Sequence, residues 1–226
     1  MIKVSCIIAA YNEEPRIANV LFAIENHPLI DEVIVVDDGS KDGTKDVAAK
    51  FANIHLIVMP QNKGKCTAIY TGIKNSKNEI LLFLDADLIG LTADNITALI
   101  NPVISGEADI SISMRKNSPA IDRFIGLDYL SGERVFYKQL IMEKLEQIPK
   151  LPGFGLEVFL NRIIIRSKCR IKIIFWKNVE SPWKYKKDGL WAGIKGDIKM
   201  IYQIFKVISP PEVVYQFAKM KSRMVE

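Results

Sequence analysis

The first half of the chain alternates short apolar runs with longer stretches of helical character, and that alternation restricts the fold more than any other feature. The runs Lys3–Ala9, Glu32–Asp37, Ile54–Val58, Glu79–Leu84 and Asp109–Met114 are rich in Ile, Val and Leu, with little polar interruption. A strand with one wet face alternates apolar and polar residues; a strand without that alternation is covered on both faces, as in a parallel sheet between helices. Helices are expected between the runs, over Pro15–Asn26, Thr44–Phe51, Lys65–Asn75 and Ala93–Ile104. Pro15 suits a first helical turn, and Asp42-Gly43-Thr44 a turn that becomes a cap. Such a β-α-β-α series predicts an α/β fold, a mostly parallel open sheet flanked by helices. Ligands of these sheets collect at the carboxyl ends of the strands, so the informative residues should follow the strands.

Three polar or acidic clusters do. Ala10-Tyr11-Asn12-Glu13-Glu14 follows the first strand, Asp37-Asp38-Gly39-Ser40 the second, and Asp85-Ala86-Asp87 the fourth. Asp-Gly-Ser is ordinary turn chemistry, and a strand-end acid often only caps a helix. Asp85 and Asp87 are harder to dismiss. Two carboxylates one residue apart, directly after the buried run Ile80–Leu84, repel each other unless a cation or hydroxyl sits between them. Oxygen-only ligation points to Mg2+ or Mn2+, which typically combine few carboxylates with substrate phosphates.

The rest of the composition narrows the class. The 226 residues, 49% hydrophobic and 25% charged, suffice for one substantial core. No apolar run approaches the roughly 20 residues that cross a bilayer. Val4–Ala10 reads as a first strand and not as a leader core. Three widely spaced cysteines, Cys6, Cys66 and Cys169, suggest neither a disulfide framework nor a zinc site and fit a reducing, cytoplasmic setting. The net charge of +5 is uneven: residues 151–226 carry 15 Lys+Arg against 6 Asp+Glu, and residues 1–150 carry 16 against 20. The basic third reads either as a solvated surface or as the footprint of an anionic membrane or a phosphorylated acceptor. No nucleic-acid-binding signature accompanies it.

Taken together, Ala9-Ala10-Tyr11-Asn12-Glu13, Val35-Val36-Asp37-Asp38-Gly39-Ser40, Asn62-Lys63-Gly64-Lys65, Leu84-Asp85-Ala86-Asp87 and Ser131-Gly132-Glu133-Arg134 resemble the family-two glycosyltransferases of the GT-A fold. The nearest likeness is to small members such as dolichyl-phosphate mannose synthases and glucosyl-phosphoglycerate synthases. The resemblance implies an inverting, metal-dependent transfer of sugar from a nucleotide-sugar donor, UDP-linked or GDP-mannose, to a phosphate-bearing or polyprenyl-phosphate acceptor. It implies that Ala9, Tyr11, Glu13 and Ala86 line the nucleotide pocket, that Asp38 contacts the base, and that Lys65 approaches the diphosphate. Asp85 would face ribose or sugar, and Asp87, with Asp85, would serve the metal. Arg115 and Arg134 would clamp phosphates, and Glu157, in Gly153–Glu157, is the candidate base. The planar guanidinium fork supports the arginine roles. A surface lysine is the plain alternative for Lys65, and a first-turn glutamate favoured by the helix dipole is the alternative for Glu157.

The sequence departs from the family pattern at one position. The histidine that relatives use as a further metal ligand falls on Ser181, leaving Glu180 as a substitute; His27 and His55 make no ligand pair by spacing. That gap keeps a second reading open, a catalytically inactive nucleotide-sugar-binding or membrane-scaffold protein of the same fold. A Walker loop and a Gly-x-Gly-x-x-Gly motif are absent. The chain divides in this reading into a catalytic domain, 1–189, and a C-terminal amphipathic helical extension, 190–226. In the extension Trp191, Ile194, Ile198, Ile201, Phe205 and Ile208 recur at helical spacing, and after Pro210-Pro211 so do Val214, Phe217, Met220 and Met224, beside Lys219, Lys221 and Arg223. These stripes either lie in the headgroups of the inner face of a membrane or cover the core.

Overall fold

The structure, a computed structural model, describes residues 3–182 and 200–225. Seven strands form one sheet: β1 Val4–Ala10, β2 Ile30–Asp37, β3 Ile54–Val58, β4 Ile80–Asp85, β5 Ile110–Arg115, β6 Arg134–Tyr137 and β7 Ile171–Trp176. Their order is β3-β2-β1-β4-β6-β5-β7. β1, β2, β3 and β4 pair in parallel, as do β5 and β7, while β6 runs antiparallel to both β4 and β5. The sheet is therefore mostly parallel, and its one antiparallel strand separates β1, β2, β3 and β4 from β5 and β7. β6 and β7 are absent from the sequence-based expectation. A four-residue strand opening on an arginine has no pattern to read, whereas the run Ile171-Lys172-Ile173 did carry a β signal.

The helices are α1 Ile17–Ile24, α2 Thr44–Ala48, α3 Lys65–Asn75, α4 Ala93–Ile104, α5 Ala120–Ile125, α6 Gln139–Met142, α7 Gly155–Arg166 and α8 Pro210–Lys221, with a 3-10 turn at Leu145–Lys150. Along β1 the side chains part to opposite faces. Cys6 and Ile8 join the cluster with Ile17 and Leu21 of α1 and Ile96 and Leu99 of α4. Ile7 points the other way, toward Ile69 and Ile73 of α3 and Leu160 of α7. This two-faced burial is why the strands read as unbroken apolar runs. Each such fully buried side chain contributes about 1.5–3 kcal/mol. His27 is a core histidine, its Nε2 within 3.0 Å of Thr97 Oγ1.

The C-terminal residues pack into the same core. Ile204, Ile208 and Met220 are buried in the cluster that holds α3 and α7, and Phe217 and Met224 pack against it. The apolar stripe of α8 thus faces the protein at Phe217 and Met220, as does Met224 just past the helix, while Val214, 70% exposed, is turned to solvent. This packing supports the core-covering alternative for Phe217, Met220 and Met224. The start of the preceding amphipathic segment, including Trp191, Ile194 and Ile198, and the expected boundary at residue 189 lie outside the described residues. No helix among the described residues is long and apolar enough to cross a membrane.

Candidate active site

The strand order reverses between β1 and β4, which pair directly, and a cleft opens at their carboxyl ends. It encloses ≈ 360 Å³ and is lined by Ala9, Ala10, Tyr11 and Glu13 at the end of β1 and beyond it, Asp38 after β2, Asn62, Gly64 and Lys65 at the start of α3, Asp85, Ala86 and Asp87 at the end of β4 and beyond it, and Gly153 and Phe154 before α7. A crevice at this switch point is where an open α/β sheet places its ligand.

The loops around the cleft are fastened to one another. Asp38 donates its backbone N–H to Ala10 O (2.8 Å) and accepts from the N–H groups of Lys63 (2.8 Å) and Gly64 (2.7 Å). One buried carboxylate therefore joins the ends of β1 and β2 to the turn that starts α3. Asn12, at φ 55, donates its N–H to Ser40 Oγ and accepts from Lys41 N. Asn tolerates the left-handed region because its short side chain bonds locally. Gly39 also has positive φ, and a Cβ there would stand 2.6 Å from the Gln61 carbonyl carbon, so the close passage of the two loops requires glycine.

Charges concentrate at the β4 end of the cleft. Lys65 Nζ lies 2.8 Å from Asp85 Oδ1 and 3.1 Å from Glu157 Oε1, linking α3, β4 and α7. Burial opposes the charged ammonium, but the two carboxylates outweigh it and the lysine is held well above its ordinary range. For Asp85 burial likewise favours the neutral form. Lys65 and then Arg115 outweigh that, and its pKa falls to about 2. Gly132 makes the pocket for this carboxylate: a Cβ there would meet Asp85 Oδ1 at 2.7 Å. Asp87, half-buried, stands in the turn after β4 at the cleft wall. Glu157 is 2% exposed, and its Oε2 is buried with no hydrogen-bond partner.

The two arginines expected at phosphates are engaged inside the protein. Arg115 Nη1 donates to Ser181 Oγ at 2.6 Å and to Glu133 Oε1 at 3.2 Å, with Asp128 Oδ2 at 3.6 Å and Asp85 Oδ2 at 3.8 Å from the guanidinium. Arg134 is fully buried and donates to Ser131 O, Asn161 Oδ1 and Tyr129 O. Its surroundings are protein on every side, so it braces the turn beneath Asp85. Sequence reasoning reads an arginine as a seat for an external anion; here the partners are the chain's own oxygens. Glu133, fully buried, is pushed upward by burial, against the pull of Arg115. Ser181 is hydrogen-bonded to Arg115 and Asn117, and Glu180 pairs with Lys116 at 2.7 Å. Asp128 and Asn161 escaped the sequence reading, and Glu133 entered it only within Ser131–Arg134 with no role of its own, because a buried polar side chain is defined only by its neighbours in space.

Among the described residues no group of three or more His, Cys, Asp or Glu is arranged to hold a metal ion. Asp85 is already neutralised by Lys65 and Arg115. A divalent cation bound in this cleft would have to take carboxylate oxygen from Asp87 and its remaining ligands from water and phosphate, as small hard cations commonly do.

An open, mostly parallel α/β sheet with an acidic cleft after its first and fourth strands defines a GT-A-type domain. The family described as glycosyl transferase family 2 matches residues 5–170, and the chain belongs to it. A dolichyl-phosphate beta-glucosyltransferase of Trichomonas vaginalis is 30% identical over 150 residues, 54% of this chain and 44% of that protein. A UDP-N-acetylglucosamine–dolichyl-phosphate N-acetylglucosaminyltransferase of Methanococcus voltae is 33% identical over 209 residues, 74% of this chain and 81% of that protein. The chain spans less than half the length of the Trichomonas dolichyl-phosphate glucosyltransferases it matches. Glucosyl-3-phosphoglycerate synthase of Mycobacterium tuberculosis, crystallised with Mn2+, UDP and phosphoglyceric acid, superposes with a TM-score of 0.74 over 95% of this chain and 78% of that chain, at 21% identity. At that identity the likeness is one of fold.

Proposed function

We propose that the chain is a glycosyltransferase that moves a sugar, with inversion, from a UDP-sugar to the phosphate of a polyprenyl-phosphate acceptor, with Mg2+ or Mn2+ at Asp87. The observation that carries this reading is the β1/β4 cleft, in which Asp38, Asp85, Asp87 and Lys65 face one ligand-sized space. The names of the relatives support the donor and acceptor classes: a UDP-sugar and dolichyl phosphate for the Methanococcus protein, dolichyl phosphate for the Trichomonas protein.

In this reading Ala9, Tyr11, Glu13 and Asp38 take the nucleoside, and Lys65 stands where the diphosphate enters. The cation would offset charge that builds on the departing diphosphate. Asp85, held by Lys65, Arg115 and Gly132, is oriented before substrate arrives, so no reorganisation is needed at the moment of reaction. An acceptor phosphate oxygen attacks the anomeric carbon, the bond from that carbon to the diphosphate breaks, and its electron pair leaves with UDP. The acceptor is already an anion, so Glu157 has no proton to remove and acts by placing Lys65 and the incoming phosphate. The cleft carboxylates are taken up in this reading, Asp85 by Lys65 and Arg115 and Asp87 by the cation, so a single in-line displacement with inversion is the expected outcome.

Thermal unfolding with a panel of UDP- and GDP-sugars, with and without Mn2+, tests the donor. A true donor at a hundredfold excess over its dissociation constant adds about 2.7 kcal/mol. Product NMR should show a β-linkage from an α-linked donor. Stabilisation by GDP-sugars alone would overturn the donor assignment, and a retained anomeric configuration would overturn the mechanism. The acceptor's lipid chain requires a membrane at hand, and the basic last third is suited to an anionic one, where each nearby Lys or Arg adds about 1 kcal/mol. Binding to anionic vesicles should be measurable at low salt and fade as salt rises; no binding at low salt would favour a soluble phosphorylated acceptor.

A further inference from the structure

Helix α8 lies beyond the stretch that the family matches, yet it is tied to the site along two routes. In the first, Arg162 of α7 grips Glu212 of α8 with both Nε (2.8 Å) and Nη2 (2.9 Å) and also donates to Val207 O at 3.1 Å. The same helix α7 carries Glu157, which meets Lys65 in the cleft. In the second, Tyr129 Oη donates to Gln216 Oε1 of α8 at 2.6 Å, and the Tyr129 ring stacks on Phe217 with centroids 4.3 Å apart and planes 16° from parallel. The carbonyl of Tyr129 accepts from Arg134 and Asn161. Its neighbour Asp128 accepts from Ser118 and lies 3.6 Å from Arg115, which reaches Asp85.

A helix that merely covers a core needs apolar residues at the contact. Gln216 sits in the contact at 1% exposure, and a buried amide costs free energy unless it is satisfied. It is satisfied in one orientation: Oε1 receives the Tyr129 hydroxyl, while Nε2 donates to Glu212 Oε1 (3.2 Å) and Val158 O (3.4 Å). Glu212 and Gln216 stand one turn apart on one face of α8, so a small rotation of the helix would break the Arg162 and Tyr129 contacts together. Polar contacts of this kind fix one arrangement where apolar packing tolerates several.

We propose that α8 is a positioning element of the active site: Gln216 and Phe217 hold Tyr129, and Tyr129 fixes the Asp128–Arg115 pair that holds Asp85. Tyr129 and Gln216 are positioning residues, acting through Arg115. The proposal rests on the catalytic reading only for its activity readout, so the test has a second arm that needs no substrate.

Gln216→Leu, Tyr129→Phe and, as a control on the outer face of α8, Val214→Ala should be compared by amide hydrogen exchange and by steady-state kinetics. In the first two, exchange of amides 128–134 should rise about tenfold or more while amides of β1, β2 and β3 keep their wild-type protection. The kcat should fall about tenfold with donor KM changed less than about twofold, because the reacting groups are displaced and the nucleotide wall is not. Val214→Ala should move neither readout. Unchanged exchange at 128–134, or an equal rise throughout the chain, would overturn the proposal and leave α8 a plain cover. If the wild type shows no turnover, the catalytic reading fails and the exchange comparison still decides. If Gln216→Leu does not fold, Tyr129→Phe, which removes a single oxygen, carries the same comparison.

Discussion

The two sides of the sheet solve different problems. On the side of β1, β2 and β3, consecutive strands pair in parallel, and the cleft wall is held largely by backbone: Asp38 bonds two N–H groups, Asn12 and Ser40 join two turns, and Gly39 lets the loop after β2 pass close to Gln61. On the side of β5, β6 and β7, an antiparallel strand intervenes, and the site is held by buried ions, with Arg115 among Asp85, Asp128 and Glu133, and Arg134 beneath. Under the proposed function, the first side would take one nucleotide after another, which rigid backbone can do, and the second would orient a charged acceptor beside a charged donor, which needs fixed counter-charges, each expensive to bury without its partner.

Substitutions on the two sides should therefore fail differently. The largest effect belongs to Asp87→Ala, which should lower metal-dependent transfer by about 10³-fold or more, on the order of 4 kcal/mol, with an unchanged circular dichroism spectrum. Substantial activity in that variant would remove the assignment of the cleft. Arg134→Met comes next. It strands Asn161 and two carbonyls in the interior and should cost about 3 kcal/mol in urea unfolding. A loss under about 1 kcal/mol would mean that this side does not depend on its buried ions. Asp38→Asn sharpens the contrast from the other side, since it turns an amide donor toward one of two backbone N–H groups. It should cost about 2 kcal/mol and weaken nucleotide binding measured by calorimetry.

The smallest effect is a pH dependence on the ion-rich side. Burial, and then the neighbouring Asp128, raise Asp122 from 3.8 to about 6. A carboxyl with a raised folded-state pKa contributes stability that is complete below its unfolded value and is lost as pH climbs through the folded one. Asp122→Asn should thus match the wild type near pH 4 and exceed it near pH 8, by about 1 kcal/mol. Equal melting curves at both pH values would show that the Asp122 environment does not disfavour its charge.

The same division governs what could be read from the sequence. The bounds of β3, α3 and α4 fall where the apolar runs and periodicity place them, at Ile54–Val58, Lys65–Asn75 and Ala93–Ile104. The cleft residues Tyr11, Asp38, Asp85 and Asp87 were visible because each follows a strand. Arg115 and Arg134 were visible as cations, but only the fold shows that the oxygens around them belong to the protein. Asp128 and Gln216 carry no local pattern, and their burial depends on elements far apart in sequence. The C-terminal stripe was legible as amphipathic; that Phe217 and Met220 turn inward follows from the groove beside α7.

The position of β6 also governs how the chain can assemble as it is made. By Asp85 the ribosome has released β1, β2, β3 and β4, a parallel unit whose neighbours are all present. The free edge of β4 then waits for β6, and β5, released earlier than β6, has no strand to join until Arg134–Tyr137 emerges between them. Such distant pairings form slowly, and an open edge is a place where another chain can attach. Residues 223–225, later still, bond back to Ile171 on β7 at the far side of the sheet. The nascent protein would thus hold a paired β1–β4 half while the half built on β5, β6 and β7 is still unfinished, and a chaperone that shields the β4 edge would act in that interval.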